Sequence, residues 1–386
     1  MGVMMNAKKW RNFVCFLVLV FSLTIFLFGD FSSNIGKVSA SNMTSAKGMA
    51  VLEMNSGRVL ASHNMHTKLK MASTTKIVTA LTVIENCKDL DTPFKIDDKA
   101  VGVEGTSIYL KYGEVLSAKE LLYGLMLRSG NDASVALALH CAESVPKFAE
   151  MMNKTAKKCG ANDSNFVNPH GLDADGHYTT AYDLALITTK ALQNPIFKEI
   201  VSTKNIKISG GESGTRYLVN KNRLLNSLDG CIGVKTGFTS KAGRCLVSAV
   251  ERDNMTVVCV VLNCGPMFEE SAELLNQAFV NFKNVELLKS YNNICSIPLV
   301  DGEKNKVRVY NPCGFCFPMT EEEQTYIYVD YDLPNQLKAP IKAEQKIGVA
   351  KVYFKDKLLF QTDILAMEDV KSDAVISKIK EIVEKF

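Results

Sequence analysis

The sequence predicts an α+β protein of two domains, a sheet covered by helices followed by a small domain made only of strands. Three observations carry that expectation. The 386 residues exceed what one hydrophobic core usually serves. Two near-continuous apolar runs, residues 246–250 and 256–262, are joined by Arg252-Asp253-Asn254, which is how strands covered on both faces read. Beyond about residue 290 the texture changes to short alternating runs bounded by Gly, Pro and Asp.

Taken in order, the chain opens with Lys8, Lys9 and Arg11 ahead of an apolar run over 13–28, and then Val38-Ser39-Ala40. That is the pattern of a secretory signal cleaved after Ala40, so the bulk of the chain is expected to be exported. The run is slightly longer than a usual signal core, which leaves an uncleaved membrane anchor as the alternative. Val51 and Val59 flank Asn55-Ser56-Gly57 in a strand–turn–strand unit. A helix begins at Ser73, with Ile77, Ala80, Leu81 and Ile84 at apolar spacing. Helices over 118–127 and 132–143 are separated by Arg128-Ser129-Gly130-Asn131, a break that presents Ser129 and Asn131 from a loop. A helix over 269–282 closes the first domain. Strands over 306–310, 325–331, 349–354 and 358–364 make the second. The last stretch carries Ile376, Ile379, Ile382, Val383 and Phe386 on one helical face. The expected division is a signal peptide over 1–40, a catalytic domain over 41–290, a β-rich domain over 291–365 and an amphipathic helix over 366–386.

Composition removes several function classes. With 47% hydrophobic and 22% charged residues the chain is ordinarily globular, which excludes long disorder. Its 45 basic and 41 acidic side chains lack the excess that a phosphate backbone demands, so no nucleic-acid partner is expected. Eleven cysteines, one of them (Cys15) inside the leading apolar run, are too many for a chain too large to need staples. Most are expected to be small buried apolar residues, Cys245 and Cys259 within strands among them. Cys313-Gly-Phe-Cys316 has redox or half-zinc spacing, but no second pair follows and a structural hairpin is the better expectation.

The chemistry lies in three short runs. Ser73-Thr74-Thr75-Lys76 puts a hydroxyl and an amine three residues apart, on one helical face. A lysine serves as base only when neutral, and burial or a second cation lowers its pKa. Lys235, in Val234-Lys235-Thr236-Gly237, is the candidate cation, while Ser129-Gly130-Asn131 offers a relay hydroxyl and an amide. Alone each run reads as a cap or a turn. In this order and context they match the motif set of penicillin-binding proteins and class A β-lactamases, with Gly130 where β-lactamases carry Asp.

With Asn168-Pro169-His170-Gly171-Leu172-Asp173, His177-Tyr178-Thr179-Thr180-Ala181-Tyr182-Asp183 and Gly233-Val234-Lys235-Thr236-Gly237-Phe238-Thr239 added, the chain resembles the low-molecular-mass penicillin-binding proteins, the serine-type D-alanyl-D-alanine carboxypeptidases. The resemblance implies a transpeptidase-like domain, a mostly antiparallel sheet covered by helices, then a β-rich domain that holds the site off the membrane. It implies removal of the terminal D-alanine from peptidoglycan stem pentapeptides, with β-lactams as covalent inhibitors and no cofactor. Ser73 would be acylated, Lys76 would be its base and Ser129 the relay. Asn131, Lys235, Thr236, Gly237 and Phe238 would bind substrate, with the backbone N–H groups of Ser73 and Phe238 as the oxyanion hole. The terminal helix would lie on the membrane surface.

Two positions depart from the family pattern. Lys221 stands where an Arg is common, and Met267 stands where an Arg opens the run Met267-Phe268-Glu269-Glu270-Ser271. If Met267 borders the groove, Met267→Arg is expected to help bind the substrate carboxylate. Among rival readings, a class A β-lactamase needs an E-x-x-L-N run between the second and third motifs, and none lies between Asn131 and Lys235. A zinc peptidase would use His63, His66, His170 and His177, whose spacings fit no helical ligand pair. A silent wall-binding protein has no need of the Ser73–Lys76 pair.

Overall fold

The computed structural model describes residues 44–373 except 88 and 210–213, together with 378–379 and 382–384. The expected signal segment lies outside these. Strands β1 (Gly48–Glu53) and β2 (Val59–His63) form the first hairpin, whose turn is held by Glu53 accepting from the Asn55 and Ser56 backbone N–H groups at 3.0 and 2.7 Å. A 3-10 turn, Ala72–Thr75, leads into α1 (Lys76–Asn86). Ser73 therefore sits one turn before the α-helix proper rather than at its first residue. The short strands β3 (Pro93–Lys95) and β4 (Val115–Ser117) pair, and Ser117 with Glu120 builds a capping box for α2 (Ala118–Leu127). Next come α3 (Asn131–Cys141), α4 (Val145–Lys158), α5 (Ala181–Leu192) and α6 (Pro195–Ser202). Ser144, Thr180 and Asn194 cap the last three, as short polar side chains at that position should.

A ribbon of β5 (Asn205–Ser209) and β6 (Thr215–Val219) and the one-turn α7 (Leu224–Ser227) precede the meander β7 (Cys231–Thr239), β8 (Gly243–Arg252) and β9 (Met255–Leu262), closed by α8 (Met267–Asn281). The main sheet runs β2-β1-β9-β8-β7 with every pairing antiparallel, so β7 is an edge strand. Alternate residues of the central strands feed two cores. Ala50, Leu52, Val247, Val258 and Val260 pack with Ile77, Leu81 and Leu121 on one face, while Met49, Val51, Leu246, Val257 and Val261 pack with Leu274 and Leu275 of α8 on the other. Covering both faces explains why these strands read as unbroken apolar runs.

The second domain begins earlier than the expected 291. It comprises β10 (Lys283–Leu288), β11 (Asn292–Val300), β12 (Lys306–Asn311), β13 (Phe315–Met319), β14 (Ile327–Asp332), β15 (Leu337–Lys338), β16 (Lys346–Phe354) and β17 (Lys357–Ala366). β10 pairs with β13, and the other six form a second sheet. Buried Arg58 ties the two domains. It donates to Glu323 at 2.5 Å and to the Pro318 carbonyl, with Phe282 and Phe317 stacked at 5.0 and 5.1 Å. A guanidinium taken out of water needs such partners.

Two further expectations change. The terminal segment is not helical from 366: Ala366 ends β17, Val370 pairs with Ile341, and Ser372 pairs with Gly302. Helix is seen at 378–379 and 382–383, where Ile379, Ile382 and Val383 are more than half exposed. Among the cysteines, Cys87 and Cys141 form a disulfide, which the size argument did not anticipate. Cys245, Cys259 and Cys264 are buried thiols, as expected of space fillers. Cys316 lies in β13 opposite Glu286, and desolvation with Glu286 and Glu53 raises its pKa, the reverse of a reactive thiolate.

Candidate active site

The site is built where the Ser73 turn meets the edge strand. Ala72 adopts φ 49°, and its carbonyl is pinned by the Thr75 hydroxyl at 2.8 Å. Thr75 is in turn held by His177 Nε2 at 2.9 Å, while His177 Nδ1 accepts from the Val167 N–H at 3.1 Å. That backbone donor fixes the tautomer with the proton on Nε2. Burial pushes the His177 pKa down to about 4, so the ring is neutral at working pH and both nitrogens serve the fold.

Gly171 shows why a loop about 100 residues away carries an Asn-Pro-His-Gly run. Its φ is 90°, and a Cβ there would stand 2.0 Å from the Ala72 carbonyl oxygen. The loop thus passes directly over the Ser73 turn. Gly237 of β7 does the same from the other side: a Cβ would lie 3.0 Å from the Ser73 nitrogen.

Lys76 is wholly buried, and its amine meets three oxygens: Asn131 Oδ1 at 2.7 Å, the His170 carbonyl at 2.6 Å and Ser73 Oγ at 3.1 Å. Desolvation holds its pKa well below the ordinary lysine value, and Lys235 and Lys221 lower it further against a smaller opposing pull from Asp132. A neutral amine has two N–H bonds and one lone pair. With the two N–H bonds given to Asn131 and His170, the lone pair faces the Ser73 hydroxyl. Lys235 is also buried, donates to the Thr236 carbonyl at 2.9 Å, and has its pKa pulled down to about 7 by desolvation and by Lys221.

Asn131 is the first residue of α3 rather than part of a loop, and it is held on every side. Its backbone N–H donates to the Thr106 carbonyl and its Nδ2 to the Glu104 carbonyl, both at 2.6 Å. Its neighbour Asp132 accepts from Ser107 Oγ at 2.6 Å and from the Leu110 N–H at 3.0 Å. From outside, Arg216 of β6 donates to the Ile108 and Tyr109 carbonyls at 2.8 Å and pairs with Glu114. Ser129, buried and at φ 65°, occupies the turn before α3 and makes no hydrogen bond to Lys76 or Ser73 among the described residues.

Ser73, Lys76, Asn131 and the Gly237 backbone are therefore in direct contact, and Lys235 acts on Lys76 through its charge. Thr236 is half-buried, and Phe238 stands exposed on the rim. Sequence reasoning missed the His170 carbonyl, Asp132 and Arg216. The Asn-Pro-His-Gly run signalled the first; an Asp beside Asn131 and an isolated Arg carried no signal. Met267 contradicts the expectation attached to it, because it packs in the apolar core with Leu246 and Leu274. An Arg there would bury its charge among hydrocarbons.

Known proteins resemble this chain over most of its length. A family model described as D-alanyl-D-alanine carboxypeptidase matches residues 36–265, and one described as penicillin-binding protein 5, C-terminal domain, matches residues 282–372. The chain is 31% identical over 347 residues to D-alanyl-D-alanine carboxypeptidase DacD of Salmonella typhimurium, covering 86% of this chain and 88% of that one. It is 28% identical over 372 residues to carboxypeptidase DacF of Bacillus subtilis, covering 94% and 96%. The fold superposes on penicillin binding protein 5 from Haemophilus influenzae with a TM-score of 0.69 at 27% identity, covering 85% of this chain and 98% of that one.

Proposed function

Since the chain belongs to the D-alanyl-D-alanine carboxypeptidase family and is a serine-type peptidase, we propose the following assignment of its residues to that activity. The carrying observation is the buried Lys76 amine, committed to two carbonyl oxygens and leaving its lone pair for Ser73. Lys76 takes the Ser73 proton as Oγ attacks the carbonyl carbon of the penultimate D-alanine in a peptidoglycan stem peptide. The Ser73 and Phe238 N–H groups stabilise the oxyanion. The proton passes through Ser129 to the nitrogen of the departing D-alanine as the C–N bond breaks. Water, deprotonated by Lys76, then attacks the ester and frees Ser73. Lys235, Thr236 and the Gly237 backbone line the groove, and Asn131 is shared between Lys76 and the substrate amide. β-Lactams acylate the same oxygen, so mass spectrometry after penicillin exposure should locate the adduct on Ser73. An adduct elsewhere sinks the assignment.

The coupling of the two lysines has a sign that can be measured. The active form has Lys76 neutral, so kcat/KM rises with pH through its pKa. Lys235 lowers that pKa. Removing the cation in Lys235→Gln should raise the Lys76 pKa and move the acid limb of kcat/KM to higher pH. A limb that stays put would leave burial as the sole cause.

We further propose export of the chain, with the terminal segment on the membrane surface. Support comes from the leading apolar run and from the exposed Ile379, Ile382 and Val383. No helix among the described residues is long and apolar enough to cross a membrane. Because the Asp373 N–H still bonds the Asp301 carbonyl, a clean truncation removes 374–386. That variant should be active and leave the membrane fraction; continued sedimentation with membranes excludes the segment as anchor.

A further inference from the structure

Met267 cannot supply the guanidinium that the family pattern puts at its position, yet a D-alanyl-D-alanine terminus still presents a carboxylate. Lys235 is a weak answer, being buried, bonded to the Thr236 carbonyl and titrating near neutrality. The register of the edge strands offers another. Thr236 lies opposite Leu246, and Phe238 opposite Arg244. Residues directly opposite in an antiparallel pair point to the same face, so Thr236, Leu246, Phe238 and Arg244 share one side of the sheet. It is the side of α8, because Leu246 packs in the same core as Met267. Arg244 stands at the solvent edge of that side, and its carbonyl accepts the Cys264 N–H at 2.8 Å, which brings the start of α8 against it. Thr236 is its diagonal neighbour, a separation of roughly 7–8 Å that long side chains span. Among the described residues, the exposed Arg244 guanidinium has no hydrogen bond, ion pair or ring contact.

We propose that Arg244 reads the substrate's C-terminal carboxylate, reaching across the β7–β8 pair to the Thr236 end of the groove. The inference rests on the assignment of Thr236 to that end. A guanidinium suits a carboxylate because it is charged at every working pH and its planar fork matches both carboxylate oxygens, which an ammonium does not. The cation that the family pattern places at the start of α8 is thus supplied here from the adjoining strand, on the same side of the sheet. The unpaired state of Arg244 without substrate follows, since a guanidinium already bonded to an acid would not be available.

The decisive experiment compares two substrates, a diacyl-L-Lys-D-Ala-D-Ala peptide and an acyl-D-alanine benzyl thioester, whose leaving group carries no carboxylate. In Arg244→Ala the peptide-to-thioester ratio of kcat/KM should fall roughly 50-fold, mostly through KM for the peptide. Arg244→Lys should recover part of the ratio and Arg244→Gln little of it. An unchanged ratio, or equal losses on both substrates, overturns the proposal while leaving the carboxypeptidase assignment intact. A wild-type protein inert on both substrates removes that assignment, and this inference with it.

Discussion

Ser73→Ala is expected to lose on the order of 10⁶ in kcat, the scale seen when a serine hydrolase loses its nucleophile. The Ser73 Oγ is the hydroxyl that the Lys76 amine faces, and Gly237 brings the edge-strand backbone to the Ser73 nitrogen. The turn itself does not depend on the hydroxyl. It is held by Thr74 and Thr75 donating to the Met71 and Ala72 carbonyls at 2.6 and 2.8 Å and by His177 beneath. The variant should therefore unfold at the wild-type temperature, and neither D-alanine release nor a penicilloyl adduct should be detectable. A variant that retained a hundredth of the activity would mean another nucleophile.

The second large effect belongs to Lys76. A positioned base contributes 10²–10⁴-fold, and here the base also orients Asn131, so a loss of about 10³ to 10⁴ in the acylation rate is expected of Lys76→Met. Lys76→Arg separates base from charge. Its guanidinium keeps a cation and hydrogen-bond donors in the site but has no lone pair to give at any working pH. Stopped-flow acylation by a chromogenic β-lactam should show both variants falling together. If Lys76→Arg kept a tenth of the wild-type rate, the residue would be acting through charge and not as a base.

Much of this site was legible in the sequence because its chemistry is local. Ser73 and Lys76 are three residues apart, and each further run announces itself with a Gly that permits a turn or a close approach. The two-domain α+β architecture was legible too, since the central strands are apolar on both faces and the second domain alternates. Contacts set only by tertiary packing were not legible. The His170 carbonyl is a backbone group, so the Asn-Pro-His-Gly run marks its loop but not which main-chain atom meets Lys76. Asp132 and Arg216 hold their loop through bonds to main-chain atoms 22 to 108 residues away. Met267 was misjudged because alignment to a pattern gives a position but not whether the side chain there is packed into a core. The strand over 358–364 was legible, but the helix expected over 366–386 begins too early, because the apolar spacing that starts at Ile376 does not extend back through Val370 and Ser372, which pair with the β domain.

The Cys87–Cys141 bond has a consequence beyond packing. α1 and α3 each span 11 residues, both begin at the reacting groups, Lys76 and Asn131, and both end at the cystine, where the Cα atoms are 6.2 Å apart. At 1.5 Å per residue the far ends lie roughly 16 Å from the chemistry. The cross-link spans 54 residues, and closing a loop of that size in the unfolded chain removes entropy equivalent to about 4 kcal/mol. Such bonds do not persist against the thiol pool of a bacterial cytoplasm. Under the export proposed above, a newly made chain carries its two catalytic helices unfastened at the distal pole while it is inside the cell, and gains this brace only outside it. Under that proposal the oxidation state of one remote cystine records on which side of the membrane the molecule matured.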